Sequence, residues 1–572
     1  MTIEEHPVEN FRRLRIVVIG AGFSGIYCGI KLPELLRNID LTIYDKNEGL
    51  GGTWWENRYP GCACDIPAHS YVYSFEPNPY WSNFYASAPE IQQYLEGVAK
   101  KYSVGRFVKC SHKVVGSSWD QDRKKWSVKV ENLKTGETFD DEADVVIQAR
   151  GLLNDYRWPD IEGLQSFEGK LVHSANWDTS YDYSNKRVGV IGAGSSAIQI
   201  VPSLQRLEGM KLNCFIRSKT WIARPFGEAA MEKLHFHHEN FTPEEKEAFL
   251  ADPKGYHHFR KTIETEGNAV HIATIKDSDF SKMARELFTE DMRSKLKKKP
   301  EIAEKVLPDF SVGCKRLTPG PGFLEALAED NVDFISTPIR RIVPQGIELE
   351  DGTIVELDAL VCATGFKAGR APPFQVTGVN GVTLQQRFDP YPEAYMSVAV
   401  DGFPNWWLMM GPNSGVGSGS LTKIIESVGD YIVKCIRKLQ KENIRSMHIK
   451  ESRVRDFNAY AESYFRRTVY LDNCKSWYRI GDRIFALWPG STLHAIETFR
   501  SPRWEDYEYE YDAQDENPIT ANRLSWLGNG WSSIQLEEDG DMSYYIEPEF
   551  VDFPSAPLPE DTPRWKKVAF TY

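Results

Sequence analysis

Residues 15–33 read RIVVIGAGFSGIYCGIKLP, and residues 187–204 read RVGVIGAGSSAIQIVPSL. Each stretch begins with a short run of mostly β-branched residues, passes through a glycine turn and continues with apolar residues at helical spacing. The initial runs are apolar enough to be buried on both faces, as parallel strands are. The sequence therefore predicts an α/β fold with two doubly wound, Rossmann-like units.

The length and composition indicate a folded multidomain protein. The 572 residues are 41% hydrophobic and 26% charged, and 68 basic against 81 acidic residues leave a net charge of −13. This balance argues against disorder, and against nucleic acid or an anionic membrane surface as the main partner. The basic run KLKKKP at 295–300 is interpreted as a solvated helix face. We expect a small-molecule partner and no membrane span, since no run of about 18 apolar residues occurs and the start lacks a signal-peptide pattern.

The nine cysteines are scattered, without the CxxC spacing that is typical of zinc sites and redox disulfides. We therefore expect no metal site and a reducing, cytoplasmic compartment. Cys62 and Cys64 form the one near pair in the sequence, and a gap of one residue would strain a disulfide between them.

The first glycine turn has the pattern of a dinucleotide site. Gly20, Gly22 and Gly25 form GxGxxG directly after a strand-like run, and Asp45 follows at the end of LTIYD. Glycines let backbone amides approach a pyrophosphate at a helix N-terminus, and an acid at the end of the next strand accepts hydrogen bonds from a ribose diol. The order of strand, glycines, helix, strand and acid favours this interpretation over a plain glycine turn.

The second turn repeats the pattern with a different charge at the ribose position. Gly192, Gly194 and Ala197 occupy the turn, and the following strand leads to Arg217 and Lys219 where the first unit has an acid. A guanidinium can bind a 2′-phosphate with two parallel hydrogen bonds, whereas a carboxylate would repel it. The pattern favours NADPH over NADH, although two solvated surface cations remain the alternative.

Two such units in one chain indicate that a hydride passes from NADPH to FAD held by the first unit. The sequence therefore predicts a flavoprotein oxidoreductase. A reduced flavin can pass electrons to a disulfide, to another carrier or to dioxygen, and the cysteine spacing disfavours the first route.

Two longer motifs resemble those of a known family. FEGKLVHSANWD at 167–178 has the form FxGxxxHxxxWD and resembles the fingerprint of type I Baeyer-Villiger monooxygenases, and GGTWWENRYPGCACD at 51–65 resembles their GGxWxxxxYPGxxxD signature. The resemblance extends to about residue 510 and is strongest to the fungal branch, which is associated with secondary metabolism. The fingerprint residues are Phe167, Gly169, His173, Trp177 and Asp178.

The resemblance implies a role for each matched residue. Arg316 matches the active-site arginine that stabilises an anionic flavin peroxide, and Asp65 matches the acid that positions this arginine. Lys315 matches a residue that contacts the NADP 2′-phosphate, and Trp477 matches one near the nicotinamide ribose. Structural alternatives remain, since Arg316 could form an ordinary interdomain salt bridge and Asp65 could be a capping acid.

Further roles follow from the same resemblance. Gly52, Thr53 and Trp54 match the part of the signature that binds FAD, together with Asp65. His173 is expected to act in the movement of one domain against the other, not in proton transfer. Trp54 and Trp177 could equally be packing residues.

The implied reaction is oxygen insertion next to a ketone carbonyl. NADPH reduces FAD, dioxygen adds to give a C4a-peroxyflavin, and attack on the ketone yields an ester or lactone. The alternative is a flavin-dependent S- or N-oxygenase or hydroxylase with the same cofactors.

One loop has its own physical interpretation. Residues 411–420, GPNSGVGSGS, precede a long amphipathic segment in which Leu421, Ile425 and Val428 begin a helical repeat. The positive end of such a helix could stabilise a reduced, anionic flavin by roughly 0.3–2 kcal/mol, or the loop could be a plain helix cap.

The motifs and composition shifts divide the chain into six predicted parts. These are the first part of the FAD-binding domain (1–155), the first part of the NADP-binding domain (156–222), a helical insertion (223–310), the second part of the NADP-binding domain (311–380), the second part of the FAD-binding domain (381–510) and an acidic, aromatic C-terminal extension (511–572).

Overall fold

The computed structural model describes residues 3–236, 238–511 and 524–546. Its strands are β1 (Leu14–Ile19), β2 (Ile39–Tyr44), β3 (Val108–Lys109), β4 (His112–Asp120), β5 (Lys125–Asn132), β6 (Thr138–Ala143), β7 (Val145–Gln148), β8 (Lys170–His173), β9 (Arg187–Ile191), β10 (Lys211–Phe215), β11 (Ile222–Ala223), β12 (Thr318–Pro319), β13 (Val332–Ile335), β14 (Ile339–Val343), β15 (Gly346–Leu349), β16 (Ile354–Glu356), β17 (Ala359–Cys362), β18 (Gln375–Thr377), β19 (Trp406–Leu408), β20 (Ser446–Ile449), β21 (Arg479–Ile480), β22 (Arg483–Ile484) and β23 (Tyr507–Glu510).

The α-helices connect these strands and form a separate helical segment between β11 and β12. They are α1 (Phe23–Leu35), α2 (Thr53–Glu56), α3 (Ala88–Lys101), α4 (Ser195–Gln205), α5 (Glu228–Lys233), α6 (Pro243–Ala251), α7 (Pro253–Ala269), α8 (Asp279–Lys295), α9 (Pro300–Val306), α10 (Phe323–Leu327), α11 (Leu384–Arg387), α12 (Leu421–Lys441), α13 (Glu451–Phe465) and α14 (Thr492–Phe499).

The first glycine turn follows the central strand of a five-stranded parallel sheet with the order β19-β7-β1-β2-β3. Val17 and Val18 of β1 are fully buried and face opposite sides of the sheet, which explains the uninterrupted apolar run. Helix α1 then packs against α12, where the ring of Tyr27 occupies the place of a side chain at Gly429. The first unit is therefore a sheet covered by helices, with the turn at the carboxyl end of β1.

The second glycine turn follows β9 in another five-stranded parallel sheet, with the order β13-β10-β9-β17-β8. Strand β9 lies in the middle, as β1 does in the first unit, and α4 follows it directly. The predicted α/β fold with two doubly wound, Rossmann-like units is confirmed.

Smaller elements complete both units. Strands β4, β5 and β6 form an antiparallel β-meander between the first glycine turn and β7. Strand β18 pairs with β4 of this meander, so the chain returns to the first unit by Gln375. The segment between β11 and β12 is largely helical, and Thr242 and Glu245 form a capping box at the start of α6.

The long helix α12 is the amphipathic helix that the sequence predicts. It begins directly after Ser420, and Ile425, Val428, Ile432 and Leu439 on its apolar face are buried. Among the residues that the structure describes, no helix is long and apolar enough to cross a membrane.

The C-terminal extension is described only in part. Residues 524–546 lie against the N-terminal segment. The backbone N–H of Val8 donates to the carbonyl oxygen of Trp531 at 3.0 Å, and the backbone N–H of Ser533 donates to the carboxylate of Glu9 at 2.7 Å. The rest of the predicted extension, 512–523 and 547–572, lies outside the described residues.

The close packing of the first glycine turn leads to a stability prediction. A Cβ atom at Gly25 would lie 1.9 Å from the backbone oxygen of Gly20, so the Gly25→Ala variant must shift the strand or the helix. We expect it to lose about 1–3 kcal/mol of unfolding free energy, measured by denaturant unfolding.

Gly194→Ala is the matched control, because a Cβ atom there meets no heavy atom of the described chain within 4 Å. We expect its unfolding free energy to stay within about 0.5 kcal/mol of the wild type. Equal losses in the two variants would contradict the packing argument.

Candidate active site

The first glycine turn is built for a close approach of its backbone to a ligand. Gly20 has a φ of +108°, and a Cβ atom there would lie 2.7 Å from the carbonyl oxygen of Ala149. Helix α1 begins after Gly22, and no side chain caps its N-terminus. Its first N–H groups are therefore available to an anionic ligand.

Asp45 lies at the end of β2, beside this turn. Its carboxylate is buried and accepts hydrogen bonds from the N–H groups of Ala21 at 2.7 Å and Asn47 at 2.8 Å. Burial raises the pKa of Asp45, and the two backbone donors offset part of this rise. The structure therefore places the predicted ribose-binding acid next to the turn and holds it in one orientation.

The second signature begins where the first turn meets α2. Gly52, with a φ of +57°, packs so tightly that a Cβ atom would lie 2.9 Å from Cα of Gly22. Thr53 is the first residue of α2, and the indole N–H of Trp54 donates to the hydroxyl of Tyr71 at 3.3 Å. The rings of Trp54 and Tyr71 also pack edge to face, and a contact of Trp54 with FAD stays a prediction.

The second glycine turn has the same geometry as the first. Gly192 has a φ of +122°, and a Cβ atom there would lie 2.6 Å from the carbonyl oxygen of Ala363. Ala197 is fully buried in α4 against the sheet. Gly194 precedes α4 without a side-chain cap and faces open space, which is the arrangement that a bound pyrophosphate requires.

A cleft of about 750 Å³ lies in front of this turn. It is lined by Gly192, Gly194, Arg217, Lys315 and Trp477, which the sequence analysis places together. Lys219, which was predicted with Arg217 to lie at the ribose position, is exposed and is not part of this lining. Its carbonyl oxygen accepts a hydrogen bond from the side chain of Lys315 at 2.9 Å.

Arg316 and Asp65 form an ion pair between the segment before β12 and the loop after α2. One guanidinium nitrogen lies 2.8 Å and 2.7 Å from the two carboxylate oxygens. Burial lowers the pKa of Arg316, but Asp65 and the neighbouring groups outweigh this effect and raise it above its ordinary value. Arg316 is therefore permanently charged, and it is one of the residues that line the cleft in front of the second glycine turn.

Two aromatic residues that the sequence analysis did not identify flank this cation. The guanidinium carbon lies 5.6 Å from the ring centre of Phe226, and the hydroxyl of Tyr478 interacts with Arg316. Burial raises the pKa of Tyr478 to about 12, although Arg316 opposes this, so the phenol stays neutral at physiological pH. The position of Tyr478 beside Trp477 was the available sequence signal, whereas Phe226 had none.

The fingerprint residues divide into packing and positioning groups. Phe167 is buried, and a Cβ atom at Gly169 would lie 2.6 Å from its ring and from the carbonyl oxygen of Asp358. Asp178 forms an ion pair with Lys170, which lowers its pKa. Trp177 stacks on Tyr183 with ring centres 5.0 Å apart and lines a second, larger cleft.

His173 lies at the end of β8, buried among aromatic rings of the chain that enters the second unit. It stacks on Tyr156 with ring centres 4.6 Å apart and packs edge to face on Trp158. Burial lowers its pKa to about 4, so the imidazole is neutral at physiological pH. A role of His173 in domain movement stays a prediction.

The sequence shows similarity to FAD-binding monooxygenases over nearly its whole length. It is 39% identical to the FAD-binding monooxygenase tazF of Aspergillus terreus, over 94% of this chain and 95% of that protein. It is 33% identical to a Baeyer-Villiger monooxygenase of Pseudomonas aeruginosa, over 84% of this chain and 88% of that protein. The chain belongs to the Baeyer-Villiger monooxygenase family.

A solved structure of this family has the same fold. Cyclohexanone monooxygenase from Rhodococcus sp. Phi1, bound to NADP+, superposes with a TM-score of 0.76 at 26% identity, covering 87% of this chain and 99% of that one. Two family models match parts of the chain. The NAD(P)-binding Rossmann-like domain matches residues 18–88, and the L-lysine 6-monooxygenase/L-ornithine 5-monooxygenase model matches residues 70–307.

The residues of this Baeyer-Villiger monooxygenase homologue fit the two cofactors that the sequence predicts. Both glycine turns precede helices whose N-termini lack side-chain caps, and an acid follows one turn while basic residues follow the other. In the loop before α12, the buried Ser414 hydroxyl has no hydrogen-bond partner among the described residues. Ser420 caps α12 by accepting from Lys423 at 3.3 Å, so a cap is present, and an effect of this helix on a flavin stays a prediction.

The cysteines differ from the expectation in one respect. Cys314 and Cys474 form a disulfide with a sequence separation of 160 residues. The cysteine spacing gave no indication of this pair, because the two residues are brought together only by folding. The near pair Cys62 and Cys64 stays reduced, as expected.

The buried His173 predicts a pH dependence of stability. Its pKa is about 4 in the folded chain and 6.5 in the unfolded chain, so the unfolded state takes up a proton first as the pH falls. The stabilisation is complete above pH 6.5 and is lost as the pH falls towards 4. Between pH 7 and pH 5, the unfolding free energy of the wild type should therefore fall by about 1–2 kcal/mol more than that of the His173→Phe variant.

Denaturant unfolding at both pH values measures this difference. An identical difference at pH 7 and pH 5 would show that His173 is protonated equally in the folded and unfolded chains.

Proposed function

We propose that this chain uses NADPH, FAD and dioxygen to insert one oxygen atom next to a ketone carbonyl, giving an ester or lactone. The observation that carries this proposal is the partly buried Arg316–Asp65 ion pair, which joins segments of the two dinucleotide units. Bound FAD supplies the redox chemistry and the activation of dioxygen. The side chains of the protein bind the two cofactors and stabilise the negative charge that develops on oxygen.

Arg316 is the residue that we place at the reacting atoms. Its raised pKa keeps it charged throughout, so it can stabilise an oxyanion without donating its own proton. Asp65 holds the guanidinium through one nitrogen, which leaves the other nitrogens available to substrate and oxygen atoms. Phe226 and Tyr478 restrict the guanidinium from the sides.

The two glycine turns assign the cofactors to the units. We place FAD at Gly20, Gly22, Gly25 and Asp45, with Gly52 packed against the same turn. We place the adenosine half of NADPH in the cleft at Gly192 and Gly194, with Arg217 and Lys315 towards its 2′-phosphate and Trp477 over its far end. On this assignment, residues 1–155 and 381–510 belong mainly to the FAD-binding domain, and 156–222 and 311–380 mainly to the NADP-binding domain.

Fungal relatives such as tazF support a role in secondary metabolism. Oxidation of nitrogen is the second candidate, because the lysine and ornithine monooxygenase model matches residues 70–307. A panel of linear, cyclic and fused-ring ketones, with lysine, ornithine and a sulfide, separates the two. We expect NADPH consumption coupled to a product 16 mass units heavier with a ketone, and coupling only with an amine would contradict the proposal.

Arg316→Ala tests the role of the cation. The variant should keep flavin reduction by NADPH and lose about 10²–10³-fold or more of the ketone oxygenation rate, because a preorganised charge is removed from the reacting atoms. Anaerobic reduction of the flavin by NADPH and product formation by mass analysis are measured on the same preparation. Lactone formation at the wild-type rate would show that the residue is misassigned.

Asp65→Asn tests whether the carboxylate only positions the arginine. The amide keeps the size and one acceptor oxygen but removes the charge that faces Arg316. We expect a smaller loss of oxygenation than in Arg316→Ala, with more NADPH consumed per product formed. An equal or larger loss would place Asp65 itself at the chemistry.

A further inference from the structure

The cleft in front of the second glycine turn contains a basic residue that the family motifs do not include. Lys475 lines this cleft together with Arg217 and Lys315, although it lies in the loop between α13 and β21. Its neighbours Ser476 and Trp477 line the same cleft. The loop therefore brings a third basic side chain to the predicted 2′-phosphate position.

The charges of this cleft are unbalanced. Its lining contains five basic side chains but only two acidic ones, Asp160 and Glu350. Within the described residues, neither Lys475, Lys315 nor Arg217 forms an ion pair. Burial, and then the charge of Lys475, lower the pKa of Lys315, so the two lysines repel each other in the ligand-free chain. A ligand with two negative charges would remove this repulsion, whereas a neutral ribose would not.

The Cys314–Cys474 disulfide lies next to two of these basic residues in the sequence. Cys314 directly precedes Lys315, and Cys474 directly precedes Lys475, so one covalent bond joins the backbones that carry the two lysines. The Cα atoms of the two cysteines are 6.4 Å apart. The loop is also held at Asp472, which accepts from the N–H of Ser311 at 2.7 Å, at Cys474, whose carbonyl oxygen accepts from the Arg479 side chain, and at Tyr478 beside Arg316. Among these contacts, those at Asp472 and Tyr478 join the loop to the segment of Lys315.

We propose that Lys475 binds the 2′-phosphate of NADPH together with Arg217 and Lys315, and that the Cys314–Cys474 disulfide holds it there. This inference rests on the proposed use of NADPH. A dithiol reductant breaks the S–S bond by supplying two electrons and two protons, which yields two thiols and oxidises the reductant to its own disulfide. Reduction frees residues 473–477 from the segment of Lys315, so recognition of the 2′-phosphate weakens while the remaining contacts with the nucleotide persist.

The test is calorimetric titration of the purified FAD-containing enzyme with 2′,5′-ADP and with 5′-AMP, which differ only in the 2′-phosphate. Lys475→Ala should lower the affinity for 2′,5′-ADP about tenfold, as expected for the loss of one charge-assisted contact. The affinity for 5′-AMP should not change. Lys475→Arg, which keeps the cation, should restore most of the affinity. Lys282→Ala is the matched control, since it removes the same charge from an exposed position on α8.

Unchanged affinity of Lys475→Ala for 2′,5′-ADP, or equal losses for both ligands, would overturn the assignment of Lys475. A wild-type enzyme that binds 2′,5′-ADP no better than 5′-AMP would overturn the proposed use of NADPH itself. The two failures are therefore distinguishable in one set of titrations.

The disulfide is tested on the wild type and on Cys474→Ser. Treatment of the wild type with dithiothreitol should expose two further thiols and lower the affinity for 2′,5′-ADP severalfold. Cys474→Ser should show the same lowered affinity whether or not the reductant is present. Adding Lys475→Ala to Cys474→Ser should cause less further loss than it causes alone, because both changes remove one contact. Full affinity after both thiols have appeared would overturn the role of the disulfide.

Discussion

The ion pair between Arg316 and Asp65 is the interaction on which the rest of the site depends. The two residues are 251 positions apart, one before β12 of the second unit and one in the loop after α2 of the first. Each charge would be costly to bury alone, and together they are stable only when both sheets hold their loops at one junction. The pair therefore links a segment of each unit at the place where we propose that the reaction occurs.

The charged side chains beside the two glycine turns have opposite signs. At the first, a buried carboxylate, Asp45, is held by backbone N–H groups and suits a ribose diol. At the second, basic side chains surround open space at Gly194, which suits a phosphorylated ribose. The same strand-turn-helix geometry thus serves two nucleotides, and the residue after the next strand decides which one.

Much of the fold could be predicted because its signals are local. The apolar run of β1, the positive φ of Gly20 and Gly192, and the repeat of α12 all depend on neighbours within one turn or one strand. The capping box at Thr242 is local in the same way. Contacts between distant segments had no such signal, so Phe226 beside Arg316 and the partner of Cys314 could not be found from spacing.

The sequence by itself determined the two Rossmann-like units, their order and the charges that follow each turn, because strand and helix periodicity and glycine conformations are properties of short segments. Only the tertiary structure decided which basic side chains line the cleft, since Lys475, from a loop far along the chain, is part of the lining while Lys219, two residues after Arg217, is not. The reason is that the binding site is formed by loops that are distant in sequence. The distances between these loops depend on sheet packing and on the disulfide, and the local spacing of residues gives no information about either.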